Sequence, residues 1–133
     1  METSVRYIVN DTSAAIPFYE LLGFETVMHP GPGFAMLRRG QLRLLLNTPG
    51  GGGGAGQRVA DGSTPEPGGW NRFQLIVDDV DAEVARLSDA GVPFRSAVID
   101  GNGGRQVLVD DPSGNAVELF QPFLDRQTSG RPA

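Results

Sequence analysis

The chain has 133 residues, 39% of them hydrophobic and 20% charged, which is ordinary for one soluble globular domain or for two small halves that share a core. The formal net charge of −5 argues against a nucleic-acid surface, and the absence of cysteine excludes disulfides, thiol nucleophiles and thiolate metal sites. Because no apolar run approaches the roughly 18 residues that span a bilayer, and no signal-peptide layout begins the chain, we expect a cytoplasmic protein without a membrane partner.

The first half of the chain predicts one strand, one helix and three further strands. Strand-forming residues occupy positions 5–9, and a helix is predicted over residues 12–22, capped by Thr12 or Ser13 and ended by Gly23. Its expected buried face consists of apolar residues at helical spacing: Ala14, Ala15, Phe18, Leu21 and Leu22. The three strands that follow are predicted at residues 25–29, 34–38 and 42–46.

Residues 48–69 differ in composition from the rest of the chain. They include nine glycines and three prolines and almost no large apolar side chain, so they cannot bury enough surface to offset the entropy of ordering. The glycine run 50–54 lacks the Gly-Lys-Ser/Thr ending of a phosphate-binding loop and begins no helix. We therefore predict a mobile linker.

The same order of elements recurs after the linker. A strand is predicted over residues 73–79, followed by a helix over residues 81–90, and Gly91 corresponds to Gly23. Further strands are predicted at residues 93–98, 105–109 and 117–121. The chain is thus a duplicated β-α-β-β-β module of the α+β class. The predicted organisation is a single domain over residues 1–133, with module 1 at about 4–47, the linker at 48–69, module 2 at about 70–123 and a tail at 124–133.

Two single residues carry chemical information. Glu118 interrupts the apolar last strand, and because an unpaired buried carboxylate costs several kcal/mol, its side chain must be exposed, paired or bound. His29 is the only histidine, which excludes a metal site with several histidines within one chain. It precedes a Pro-Gly-Pro-Gly turn, so it is either a solvated loop residue or a catalytic or ligand-binding one.

Three motifs in sequence order carry a resemblance to a known family. They are Asp11-x-x-Ala14-x-x-x-Phe18-Tyr19-x-x-Leu22-Gly23-Phe24, Val77-Asp78-Asp79-Val80-Asp81 and Asp111-Pro112-Ser113-Gly114-Asn115-x-Val117-Glu118-Leu119. Together they resemble the vicinal oxygen chelate superfamily, which includes glyoxalase I, bleomycin-resistance proteins, fosfomycin-modifying enzymes and extradiol dioxygenases. The resemblance implies that the paired modules form a U-shaped mixed sheet with helices outside, and that a homodimer builds the ligand clefts.

Enzymes that this sequence resembles hold a divalent metal with four residues, one from each of four cleft strands. The resemblance places these positions at Ser4, Arg43, Arg72 and Glu118. Only Glu118 retains a usual ligand, whereas arginine cannot lose a proton to bind a metal and would repel a cation. We therefore expect no metal and no other cofactor, as in the metal-free antibiotic-binding members.

Strand parity predicts which side chains share the face of the cleft. These are Ser4, Arg6 and Ile8 on the first strand, Arg72, Gln74 and Ile76 on the first strand of module 2, and Glu118 and Phe120 on the last strand. Residues of the opposite parity are predicted to pack under the helices. Our hypothesis is that Arg43 or Arg72 pairs with Glu118 where the metal would lie. The alternative is that these side chains are separately solvated.

Aromatic and methionine side chains are candidates for stacking on a flat ligand, although each could equally lie in the core or in a dimer interface. Trp70 follows a flexible segment and could act as a lid. The complete predicted ligand-binding set is Arg6, Phe34, Met36, Arg43, Trp70, Arg72, Gln74, Glu118 and Phe120.

An aromatic-lined cleft with a few arginines favours binding a large, partly aromatic molecule over turnover of a small one. The expected function is therefore sequestration of an antibiotic, bleomycin-like or polycyclic, in the clefts of a homodimer. The alternative is an enzyme (a lyase, isomerase or dioxygenase) with non-standard metal ligands or with Glu118 as general base. A small-molecule sensor is a third possibility.

Overall fold

The computed structural model describes residues 2–51 and 53–123, so the predicted tail at 124–133 lies outside the described residues. The chain forms two compact units. Of the described residues, unit 1 contains 2–51, 53–70 and 111–115, and unit 2 contains 71–110 and 116–123. Each unit has one β-α-β-β-β module, which confirms the predicted duplication and the α+β class.

Unit 1 contains a four-stranded sheet in the order β1-β4-β3-β2. Its elements are β1 (Ser4–Ile8), α1 (Thr12–Leu21), β2 (Glu25–Gly31), β3 (Phe34–Arg39) and β4 (Leu42–Asn47). The strand β1 runs parallel to β4, whereas the other neighbours are antiparallel. His29 therefore lies within β2 rather than in a loop, and its Nε2 is 3.0 Å from Thr12 Oγ1.

The start and the buried face of α1 differ from the prediction. The carboxylate of Asp11, rather than Thr12 or Ser13, caps the helix by accepting hydrogen bonds from the backbone N–H groups of residues 13 and 14. The buried stripe follows the helical spacing 15, 18, 19 and 22, so Ala14 and Leu21 lie one position off it and are exposed.

Unit 2 repeats this topology in the order β5-β8-β7-β6. Its elements are β5 (Phe73–Ile76), α2 (Val80–Asp89), β6 (Ile99–Asp100), β7 (Gly104–Asp110) and β8 (Ala116–Pro122). The strand β5 runs parallel to β8, and β7 is antiparallel to both β8 and β6.

The predicted strand at residues 93–98 is wrong, because β6 contains only Ile99–Asp100. Residues 93–98 instead lie beside β7 and make only isolated backbone contacts with it, including a single antiparallel bridge between Phe94 and Val109. Pro93 has no N–H to donate to a ladder. The hydroxyl of Ser96 accepts a hydrogen bond of 3.0 Å from the backbone N–H of Leu108. In a regular ladder, a backbone carbonyl of the neighbouring strand would be the acceptor.

The predicted alternation of faces is confirmed on β1 and β5, whereas on β8 Glu118 is buried like its neighbours. Tyr7 on β1, Leu75 on β5 and Val117 and Leu119 on β8 are buried, whereas Arg6 is exposed. On β1 and β5, one face therefore packs apolar side chains such as Tyr7 and Leu75, and the other face carries more exposed ones such as Arg6 and Gln74. Within the described residues, no helix is long and apolar enough to cross a membrane.

A buried hydrogen-bond network around Asp111 stabilises unit 1. One carboxylate oxygen accepts the backbone N–H groups of Ser113 and Asn115 at 2.8 and 2.9 Å, and the other accepts the Tyr19 hydroxyl at 2.7 Å and the Asn115 side chain at 3.0 Å. Burial, followed by the negative charge of Asp111 and the hydrogen bond to it, raises the pKa of Tyr19 far above its ordinary value. Tyr19 is therefore a neutral donor at any ordinary pH.

Candidate functional site

The carboxylate of Glu118 is enclosed by polar side chains of β5 and of the residue just before that strand. The parallel register places Gln74 opposite Glu118, and Gln74 Nε2 donates to Oε2 at 2.6 Å. Arg72 Nε and Nη2 both lie 3.0 Å from Oε1. Glu118 is only 7% exposed, so its charge is compensated by a guanidinium rather than by water. The predicted pairing of Glu118 with an arginine is confirmed for Arg72.

Arg43 has different partners, all within unit 1. The β1–β4 register places it opposite Ser4, and Arg43 Nε donates to Ser4 Oγ at 2.9 Å. Its Nη1 forms a salt bridge of 2.7 Å with Glu2 Oε1. The Arg43 guanidinium therefore lies beside the Ser4 hydroxyl, and the family resemblance would assign that hydroxyl's position to a metal ligand.

These donor sets do not fit a divalent metal. Two of the four positions hold guanidinium groups, Ser4 Oγ accepts from one of them, and both oxygens of Glu118 accept hydrogen bonds. Across residues 2–51 and 53–123, no group of three or more His, Cys, Asp or Glu side chains is arranged to hold a metal ion. A metal at Glu118 would have to displace the Arg72 guanidinium and then tolerate its charge nearby.

Unit 1 contains a cavity of about 920 Å³, within the size range of sites for drug-sized ligands. It lies where β1, β2, β3 and β4 meet the glycine-rich segment that follows β4. Its lining consists of Arg6, Asn10, Asp11, Pro30, Gly31, Pro32, Gly33, Phe34, Asn47, Thr48, Gly51, Gly53, Gly54 and Ala55. Two predicted ligand-binding residues, Arg6 and Phe34, are therefore brought together.

Arg6 is held at the wall of the cavity by Asn47. Its Nη1 donates to the side-chain oxygen of Asn47, which is buried at the end of β4. The amide nitrogen of Asn47 is 3.5 Å from the carbonyl oxygen of Gly33. In the part of the chain that the structure describes, Arg6 has no carboxylate within salt-bridge distance, so its positive charge is not paired.

Sequence reasoning missed the glycine-rich wall. Gly51 N–H donates to the Thr48 carbonyl at 3.0 Å, and Thr48 N–H donates to the Gly33 carbonyl at 3.2 Å. The side chain of Gln57 donates to the carbonyls of Gly51 and Gly53 at 2.8 and 3.1 Å. The segment thus has defined hydrogen bonds in this structure, while its mobility stays a prediction. Asn47 was also missed, although a polar residue ending an apolar strand was a usable signal.

The remaining predicted site residues lie elsewhere in their units. Met36 on β3 is half-buried and is not among the cavity-lining residues, and Phe120 on β8 is half-buried with its ring near Gly104. Trp70 is 68% exposed, which fits a solvent-facing position rather than a core one. Within unit 2, Arg72, Gln74 and Glu118 form one contiguous cluster.

Comparison with known proteins identifies a single family over most of the chain. The family model described as the glyoxalase/bleomycin resistance protein/dioxygenase superfamily matches residues 3–119. No curated protein matches the sequence significantly.

Solved structures with the same fold include proteins with different described activities. An antibiotic-binding protein from a Streptomyces species, TnmS3, is 28% identical with a TM-score of 0.69, and the alignment covers 92% of this chain and 96% of that one. A lactoylglutathione lyase from Agrobacterium tumefaciens is 25% identical with a TM-score of 0.70, covering 91% and 92%. A superfamily member from Sphaerobacter thermophilus is 29% identical with a TM-score of 0.71, covering 91% and 96%.

Proposed function

Because the chain belongs to the glyoxalase/bleomycin resistance protein/dioxygenase superfamily, we propose that it is a binding protein that sequesters a large, partly aromatic antibiotic without modifying it. Protection of the cell would come from stoichiometric capture, so the affinity for the drug must exceed that of the drug's own target. Binding needs no metal in this proposal.

The observation that carries the proposal is the contact of Glu118 with Arg72 and Gln74. Of the four positions that the family resemblance assigns to metal ligands, Glu118 alone keeps a ligating side chain, and both of its oxygens accept hydrogen bonds. A site with this arrangement can bind and orient a polar group, but it offers no Lewis acid to activate a substrate.

Two further observations support binding of a drug-sized molecule. The cavity of unit 1 is large, and it combines the Arg6 guanidinium with the ring of Phe34. The similarity to TnmS3, which is described as an antibiotic-binding protein, supports the same class of function at 28% identity.

Isothermal titration of the full chain with metal-free bleomycin and with daunorubicin, both in a chelator, tests the proposal. At least one of the two is expected to bind with a dissociation constant below about 1 µM, and mass spectrometry is expected to recover it unchanged. Absence of binding by both drugs at about 100 µM, or recovery of a modified drug, contradicts sequestration of this class.

The alternative is an enzyme of the same superfamily, with non-standard metal ligands or with Glu118 as the general base. The similarity to a lactoylglutathione lyase, at 25% identity, supports this enzyme alternative. Incubation with the hemithioacetal of methylglyoxal and glutathione distinguishes the two functions. The proposal of a binder predicts no thioester product, with or without added divalent metal.

The proposal includes a homodimer in the cytoplasm. The strand β2 lies at the edge of its sheet and exposes two large apolar side chains, Val27 at 52% and Met28 at 47%, which a second copy could cover. Sedimentation equilibrium is expected to give twice the chain mass, and Met28→Asp to lower that mass. A monomer at every concentration contradicts the dimer.

A further inference from the structure

The cavity of unit 1 is lined by the positive charge of Arg6, which forms no ion pair with the residues that the structure describes. Arg6 uses one N–H to bond Asn47, and its other donors have no carboxylate acceptor among the residues described. The one carboxylate in the lining, Asp11, is engaged at the start of α1, where its Oδ1 accepts from the backbone N–H groups of Ser13 and Ala14 at 2.9 and 3.3 Å. In a chain of net charge −5, an exposed arginine at a cavity wall, with no carboxylate partner among residues 2–51 and 53–123, favours a ligand with an anionic group.

The rest of the lining combines three polar side chains, Asn10, Asn47 and Thr48, with prolines, one phenylalanine, one alanine and glycines. Pro30, Pro32 and Phe34 offer ring faces against which a planar molecule can lie. Gly51 and Gly53 on the opposite segment add backbone without side-chain bulk, which allows close approach of a ligand. This combination suits a flat aromatic ring system better than an aliphatic chain.

Arg6 is also held in place before any ligand arrives. Its partner Asn47 is 2% exposed and sits at the end of β4, so the guanidinium is oriented from a rigid strand. An oriented guanidinium loses less rotamer entropy on binding than a freely rotating one. Asn47 therefore orients the guanidinium of Arg6 at the wall of the cavity.

We propose that this cavity binds a planar, fused aromatic ring that carries one carboxylate, with Arg6 on the carboxylate and Phe34 and the prolines on the ring. A single arginine in a lining that also contains Asp11 fits one negative charge better than a dianionic phosphate. The inference rests on the proposed binding function and adds to it the chemical class of the group that enters the cavity.

The test compares two probes that differ by one charge, 2-naphthoate and its methyl ester, by isothermal titration with the full chain. The wild-type protein is expected to bind the acid at least about tenfold more tightly than the ester, because a charged hydrogen bond to Arg6 is made only by the acid. Arg6→Gln is expected to abolish this preference while leaving ester binding within about twofold.

Arg86→Gln is the matched control, because it removes the same charge from the exposed face of α2, where Arg86 pairs with Glu83. It is expected to keep the full preference for the acid. Asn47→Ala tests the positioning role: the preference should fall but persist, and a circular dichroism melt reports whether each variant is folded. Equal binding of acid and ester by the wild type, binding of neither probe, or an undiminished preference in folded Arg6→Gln would overturn the inference.

The same variants separate this inference from the proposed function. If bleomycin or daunorubicin binds and the naphthoate preference is absent, sequestration stands and the inference fails. If the naphthoate preference is present and both drugs fail to bind, the cavity assignment stands and the proposed sequestration fails.

Discussion

Arg72, just before β5, has Nε and Nη2 both 3.0 Å from one carboxylate oxygen of Glu118, and the parallel pairing of β5 with β8 brings Gln74 to the other oxygen. The Arg72 side chain is 29% exposed and that of Glu118 is 10% exposed, so the pair lies largely away from water. A guanidinium therefore compensates the carboxylate that a divalent metal would bind in metal-dependent members that the sequence resembles.

Replacing Arg72 is predicted to destabilise the fold. Arg72→Leu leaves a largely buried carboxylate with Gln74 alone, and the expected loss is about 1–3 kcal/mol in the free energy of unfolding, at the lower end because Arg72 keeps some contact with water. Urea denaturation measures it. Arg86→Leu removes an exposed pair within α2 and is expected to cost less than about 0.5 kcal/mol.

A second substitution checks the cause. Adding Glu118→Gln to Arg72→Leu removes the uncompensated charge and is expected to restore part of the loss. If Arg72→Leu is as mild as Arg86→Leu, the ion pair contributes little and the account of Glu118 is wrong.

The Tyr19 hydroxyl is predicted to stabilise unit 1 through its bond to Asp111. Tyr19→Phe keeps the ring and its edge-to-face contacts with Phe18 and Phe24 but removes one donor to a buried carboxylate. The expected loss is about 1.5–3 kcal/mol, measured by chemical denaturation at pH 7. A loss below about 0.5 kcal/mol would mean that water replaces the hydroxyl without cost.

Stability is predicted to fall at alkaline pH because of the same residue. The folded-state pKa of Tyr19 lies well above its ordinary value of 10.0, so the unfolded chain loses this proton first. The stabilisation is complete below about pH 10 and decreases above it by about 1.4 kcal/mol per pH unit. Tyr19→Phe should have a shallower decline between pH 10 and 11. Equal slopes for both proteins would contradict the assignment.

Gly51 is predicted to be necessary for the shape of the cavity wall. A Cβ there would lie 2.2 Å from Thr48 Oγ1 and 3.0 Å from Gly33 Cα, whereas a Cβ at Gly101, which does not line the cavity, would meet only the Gly104 carbonyl oxygen at 3.8 Å. Gly51→Ala should therefore weaken 2-naphthoate binding by roughly tenfold, while Gly101→Ala should change it by less than about twofold. Similar affinities for the two variants would show that the wall does not contribute to the site.

Patterns of local periodicity were sufficient to predict most of the fold. Both helices, the duplication and the alternation of Tyr7 and Leu75 into the core follow from helical and strand spacing that each segment carries itself. The strand predicted at residues 93–98 failed because the hydroxyl of Ser96 replaces a ladder bond to Leu108, and strand propensity does not report this competition.

The candidate site was only partly accessible from sequence. The metal-ligand positions that the family resemblance implies, together with strand parity and the cost of an unpaired buried carboxylate, predicted that Arg43 or Arg72 pairs with Glu118, and the structure shows that the partner is Arg72. The cavity could not be predicted from the sequence, because its wall is the backbone of the glycine-rich segment. Hydrogen bonds between residues far apart in the chain, such as that from Thr48 N–H to the Gly33 carbonyl, hold this wall in place. Backbone hydrogen bonds of this kind leave no pattern in side-chain composition.

The measurement that tests the central claim most directly is the metal content of the full, untagged chain. The protein would be incubated with a mixture of Mn, Fe, Ni, Zn and Mg ions, dialysed and subjected to elemental analysis. Far less than one ion per chain is expected, because Arg72 and Arg43 occupy positions that the family resemblance assigns to metal ligands and Glu118 is already hydrogen-bonded. About one tightly held ion per chain would contradict this expectation and would favour the enzyme alternative.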